Sequence, residues 1–199
     1  MERRHPVSVT GRPKALRVSY ELAGKQSLSS SERELYSGVK RALTAYLRQG
    51  DDHIAIMLEV TADEFPERVK ALLQSNVLFL LNSKEARPDL FGHIGPDCTE
   101  VYGRGDFLMT VEVKPGVPTI HDIFQAKKYG ELYWAPVALL VSTELPEERL
   151  QRLLKERLDL LGYSAGYASL YLCKYLESNE TIEWWLQDRE PRLKQQKGS

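Results

Sequence analysis

The chain has 199 residues, 42% hydrophobic and 28% charged, the balance of a globular domain large enough to bury a core. Its formal net charge of -1 excludes a uniformly basic nucleic-acid-binding surface but leaves room for a local basic patch. Cys98 and Cys173 lack metal-type spacing, and no apolar run nears the ~20 residues needed to cross a bilayer. With no signal-peptide character in Met1-Glu2-Arg3-Arg4-His5, these features point to free thiols in a reducing, cytoplasmic setting, away from membranes.

Residues 1–13 are polar and carry Pro6, Gly11 and Pro13, as in an irregular or edge segment, and Ala15 to Leu22 suits a short strand. Ser27 to Ser31 supplies helix caps; with Ser29 as the cap, Glu32 falls at capping-box spacing. The helix predicted from about Ser31 to Arg48 aligns Leu35, Val39, Ala42, Leu43 and Tyr46 on one face and stops at Gly50-Asp51-Asp52. His53 to Val60 reads as a strand. Thr61 reads as the cap of a helix reaching about Gln74, with Glu64 in the capping-box position, and Val77 to Leu81 as a short buried strand.

Arg87-Pro88-Asp89-Leu90-Phe91-Gly92 opens the next strand, since proline fits a strand's start or its edge. Turn chemistry follows at Gly95-Pro96-Asp97 and at Gly103-Arg104-Gly105-Asp106, then a strand from Phe107 to Lys114 that stops at Pro115-Gly116. Thr119 caps a helix with Asp122 three residues on; Ile120, Ile123, Phe124, Lys127 or Lys128, and Leu132 recur at helical spacing, and Pro136 breaks it. Val137 to Ser142 is continuously apolar up to its last residue, as in a strand covered on both faces.

Pro146 begins a helix of good formers from Glu147 to Leu161, ended by Gly162. Tyr167 to Glu177 alternates with period two and turns at Ser178-Asn179 toward Thr181 to Leu186, a hairpin, with a final helix through Trp184-Trp185 as the competing reading. The order predicts one domain over residues 1–199: an α/β fold with a central mixed sheet flanked by helices. The core lies at about 31–142, a helix and hairpin at 146–187 and a basic tail at 190–199.

Glu112 and Lys114 stand two apart on a strand and so share a face, and Asp89 opens a neighbouring strand. Unpaired buried charge is costly, so these groups either neutralise one another as a structural cluster or hold a ligand. Carboxylate oxygens suit a hard cation such as Mg²⁺, which keeps several waters, and a lysine beside such a water orients it and steadies developing negative charge. Those are the parts that phosphodiester hydrolysis needs.

The Pro88-Asp89 … Glu112-Val113-Lys114 pattern, followed by Gln125-Ala126-Lys127-Lys128-Tyr129 on the next helix, resembles the PD-(D/E)xK nuclease superfamily, in its RecB-like branch with the Q-x-x-x-Y element. The resemblance covers about Glu32 to Ser142 and implies a restriction-endonuclease-like core of helix, three strands, helix and strand. It further implies a Mg²⁺-dependent deoxyribonuclease, with Mn²⁺ able to substitute and DNA as partner. Asp89 and Glu112 would ligate the metal, the Val113 carbonyl would complete its protein ligands, and Lys114 would position and polarise the attacking water. Gln125 and Tyr129 would line the site and contact the DNA backbone or the lysine. Glu32 would bring the acidic residue of the first helix, with Glu34 as the alternative.

Two aspartates compete for the motif position. Asp89 lies 23 residues before Glu112 and Asp97, in a second Pro-Asp, lies 15 before it; the strand-like Asp-Leu-Phe-Gly-His-Ile favours Asp89. Residues 53–75 read as an insertion between the first helix and the core hairpin. Arg87, Arg104, Lys127, Lys128, His93 and His121 are the basic groups available for phosphates. The competing function is a nuclease-like fold that binds nucleic acid or scaffolds a partner without cleaving. The C-terminal aromatics Tyr163, Tyr167, Tyr171, Tyr175, Trp184 and Trp185 would then serve a homodimer surface.

Overall fold

The computed structural model describes residues 30–48, 55–73, 77, 79–80, 83–95, 107–162 and 169–185. Six strands lie side by side in chain order: β1 (Ala55–Val60), β2 (Leu90–Gly95), β3 (Phe107–Lys114), β4 (Val137–Ser142), β5 (Ser169–Leu176) and β6 (Thr181–Trp184). β1, β2 and β3 form an antiparallel meander, β4 and β5 run parallel to β3, and β6 turns back along β5. The helices are α1 (Ser30–Arg48), α2 (Glu67–Lys70), α3 (Ile120–Leu132) and α4 (Glu148–Glu156).

Strand alternation sorts the core into two layers. Met109, Val111 and Val113 of β3 and Val137, Leu139 and Val141 of β4 pack with Leu35, Tyr36, Val39, Ala42, Leu43 and Leu47 of α1. On the opposite face Ala138 and Leu140 of β4 meet Ile123 and Ala126 of α3 and Leu154 of α4. β4 is therefore buried along its whole length, as its unbroken apolar run requires. The two parallel crossovers, β3–α3–β4 and β4–α4–β5, supply the helices of that second layer.

The capping box of α3 is present: Asp122 N donates to Thr119 Oγ1 at 3.4 Å and Thr119 N donates to Asp122 Oδ2 at 2.7 Å. The helix is rotated from the apolar face expected for it. Ile123, Ala126, Tyr129 and Gly130 are buried, while Ile120 and Phe124 are exposed, because the small residues let the helix lie close on the sheet. α4 stops at Glu156, earlier than expected, and a 3₁₀ turn at Leu158–Leu161 finishes the segment before Gly162. The C-terminal segment is a hairpin as far as Trp184, and Glu180 takes the left-handed conformation at its turn.

Three expectations fail in the segment before β2. Thr61 caps no helix: its hydroxyl donates to Pro88 O at 2.7 Å and its N–H to Asp89 O at 2.8 Å, which extends the β1–β2 ladder. The helix after it shrinks to Glu67–Lys70, opened by Pro66. Val77 and the described part of the run after it form turns, with Phe79 72% exposed, so no strand forms among its described residues. Residues 55–60 are not an insertion. They pair with β2 over Ala55↔Gly95 to Val60↔Leu90 and are a full strand of the sheet. The strand expected at Ala15 to Leu22, the cap Ser29, Gly50-Asp51-Asp52, His53, Pro96-Asp97 of the first turn cluster, the whole of the second and the basic tail lie outside the described residues.

Candidate functional site

The C-terminal end of β3 is where charge enters the core. Glu112 and Lys114 point to one face, and Lys114 Nζ lies 2.9 Å from Glu112 Oε1. The Glu112 side chain is fully buried, whereas Lys114 keeps 20% exposure, so the pair runs from the interior to solvent. Continuing the β2–β3 register one step beyond Leu90↔Val111 sets Asp89 opposite Glu112.

Asp89 is completely buried, and both its carboxylate oxygens accept hydrogen bonds. Val113 N donates to Oδ2 at 2.8 Å, and the Tyr36 hydroxyl donates to Oδ1 at 2.9 Å. The side chain thus takes over a β3 main-chain donor where β2 begins. Thr61, bonded to Pro88 O and Asp89 O, anchors that chain reversal from behind. The polar end of β1 therefore positions Asp89 without touching its carboxylate.

α1 adds two groups from its first turns. Glu32 Oε1 lies 3.7 Å from Lys114 Nζ and 3.3 Å from the Tyr36 hydroxyl. One helical turn separates Glu32 from Tyr36, which puts both on the edge of the face that packs on the sheet. Glu34 is exposed and faces elsewhere, onto an open cavity of about 320 Å³ that it lines with Arg41, Pro115, Thr143, Glu177 and Glu180. Acid-rich walls make that cavity a poor path for phosphate.

α3 closes the other side. Tyr129 is fully buried, Gln125 Nε2 donates to its hydroxyl at 3.2 Å, and Lys128 Nζ lies 4.5 Å over its ring while donating to Glu85 O at 2.7 Å. Burial first, then the Glu112 charge, pushes the Tyr129 phenol well above its ordinary value. Burial first, then Asp89, does the same to Tyr36. For Lys114 burial opposes the charge but is outweighed by Glu112, Asp89 and Glu32, so its pKa rises above that of an ordinary lysine. Lys114 is an ammonium and both phenols are protonated at neutral pH.

Asp89, Glu112, Val113, Lys114, Gln125, Tyr129 and Glu32 therefore gather around the end of β3. Asp97 and Arg104 lie outside the described residues, as do Tyr163 and Tyr167. His93 is 1% exposed and cannot reach a phosphate in solvent, which removes it from the basic set. Arg87 is committed to Asp63 O. The remaining aromatics of the hairpin are used in packing: Trp184 meets Tyr171 edge to face and Tyr46 at a tilt, and Tyr175 is buried under α1. Tyr36 went unrecognised in the sequence; the available signal was its place four residues after Glu32.

Among the described residues no three His, Cys, Asp or Glu side chains form a ready cation cage. The donor types nonetheless suit a hard cation: Asp89 and Glu112 are carboxylates on adjacent strands, and each oxygen of Asp89 has a second lone pair beyond the one it uses. Lys114 occupies one side of Glu112 Oε1, so ammonium and cation would compete for that oxygen. No protein family, curated protein or solved structure matches this chain.

Proposed function

We propose that the chain is a metal-dependent nuclease that hydrolyses DNA phosphodiester bonds, with Mg²⁺ as the ion and Mn²⁺ as its substitute. The observation that carries this reading is the meeting of Asp89, Glu112 and Lys114 at one strand end, bordered by Glu32 from α1 and by Gln125 and Tyr129 from α3. The element order α1, three antiparallel strands, α3 and β4 supports a restriction-endonuclease-like core of the PD-(D/E)xK type.

In this reading Asp89, Glu112 and the Val113 carbonyl hold the ion. When bound, it would polarise a phosphate oxygen and lower the pKa of a coordinated water. Lys114 enters as a cation and donor that would orient the water and stabilise negative charge developing on the phosphate. The acid-rich cavity beyond Pro115 disfavours a path for phosphates on that side.

Purified protein with Mg²⁺ or Mn²⁺ and single-stranded, double-stranded and branched DNA tests the reading. Glu112→Gln and Lys114→Met keep side-chain volume and are expected to lower cleavage by ~100-fold or more. No cleavage of any substrate by the wild type, or wild-type cleavage by both variants, overturns it. A second reading is favoured by the direct 2.9 Å Lys114–Glu112 pair, which already satisfies opposite charges. It is a nuclease-like fold that binds nucleic acid, or scaffolds a partner or a second copy, without cleaving. DNA binding with no metal-stimulated hydrolysis would select it, and light scattering would report the dimer.

A further inference from the structure

We propose that Tyr36 is a positioning residue for this site: its hydroxyl fixes the Asp89 carboxylate in the orientation that receives a divalent cation, an inference that rests on the hydrolase reading above. Asp89 is held at two points, Oδ1 by Tyr36 at 2.9 Å and Oδ2 by the Val113 N–H at 2.8 Å. A carboxylate with one such bond can rotate about its Cβ–Cγ axis; two donors from different elements stop that rotation. Both donors belong to groups that stay put. Val113 is in the middle of the sheet, and Tyr36 is 4% exposed in the layer between α1 and β3.

The same hydroxyl lies 3.3 Å from Glu32 Oε1. A phenol has one proton, and the shorter contact takes it, so Asp89 is its acceptor. Tyr36 thereby stands between two carboxylates, one on α1 and one at the start of β2. Phenylalanine would keep the ring packed in the core and remove only the proton. Hydrogen bonds that orient a metal ligand commonly set affinity by 10–100-fold, which is the scale expected of this one.

The test uses the full chain and Mn²⁺ as the probe. Free Mn²⁺ is followed by electron paramagnetic resonance during titration of wild type and Tyr36→Phe, with folding checked by circular dichroism. Tyr36→Phe is expected to bind Mn²⁺ about 10-fold more weakly. A second measurement needs no metal: a denaturant cycle of Tyr36→Phe, Asp89→Asn and the double variant, expected to show coupling of about 10-fold in the unfolding equilibrium constant. Should Tyr36→Phe not fold, 3-fluorotyrosine at position 36 keeps the ring and strengthens the donor, and it is expected to tighten Mn²⁺ binding.

Equal Mn²⁺ affinity in wild type and Tyr36→Phe, an additive cycle, or unchanged affinity with the fluorinated side chain each overturn the inference while the hydrolase reading stands. Wild-type protein that binds no Mn²⁺ overturns both, and the two failures are thereby told apart.

Discussion

At the scale of single residues, the site is a case of charge made tolerable by placement. Glu112 is sealed from solvent, yet Lys114 reaches it from a position two residues on, where the strand surfaces. Breaking such a pair by removing one partner leaves a buried charge and costs ~3–5 kcal/mol, so cleavage by Glu112→Gln and Lys114→Met is read beside a denaturant curve for each variant. The two glutamates of the first helix separate cleanly by position. Glu32 lies within 3.7 Å of Lys114, whereas Glu34 faces an open cavity. In a cleavage assay Glu32→Gln is expected to lower turnover about 10-fold, the scale of a group that orients a site from its border, while Glu34→Gln stays within about twofold. Equal effects of the two substitutions would contradict the placement.

At the scale of elements, the position of α1 decides whether Glu32 and Tyr36 reach the site, and the C-terminal hairpin holds α1 there. A Cβ on Gly38 would overlap the Tyr175 hydroxyl, so this β5 side chain reaches α1 where only glycine leaves room for it. Arg41 adds a two-pronged pair with Glu180 at the hairpin turn, with Nε donating at 3.0 Å. Gly38→Ala would gain about 1 kcal/mol of helix propensity, and the overlap would cost about 1–3 kcal/mol. The expected result is a net loss of about 1 kcal/mol in denaturant unfolding, and a loss of cleavage as α1 lifts Tyr36 from Asp89. Adding Tyr175→Phe removes the overlapping oxygen and is expected to restore part of both. A Gly38→Ala protein as stable and active as wild type would show that α1 is not set by this contact.

At the scale of the whole molecule, buried protonated groups tie stability to alkaline pH. Tyr36, Tyr129 and Tyr133 are raised chiefly by burial, as is the Cys173 thiol. A raised folded pKa means that the unfolded chain releases its proton first. The stability these groups contribute is therefore complete below the ordinary thiol and phenol values, about 8.5 and 10, and is lost as pH climbs above them. Tyrosinate absorbance is expected in two parts: exposed tyrosines near pH 10, and the buried ones later, together with the loss of far-ultraviolet circular dichroism. Ionisation of every tyrosine near pH 10 with the dichroism intact would contradict the burial. Among the described residues no helix is long and apolar enough to cross a membrane.

The sequence by itself determined what depends on near neighbours. β3 and β4 follow from short-range alternation and an unbroken apolar run, and the α3 cap from a Thr and an Asp three residues apart. Glu112 and Lys114 share a face because a strand repeats every two residues. It misled where a local signal lost to a distant partner. Thr61 resembles a cap but is claimed by Pro88, and Val77 to Leu81 resembles a strand although its described residues form turns. Only the tertiary structure brought Tyr36 to Asp89 across 53 positions and Glu32 to Lys114, because both contacts depend on how α1 lies on the sheet. Gly38 against Tyr175 and Arg41 against Glu180 are contacts of that packing with the β5–β6 hairpin, and no periodicity within α1 contains them.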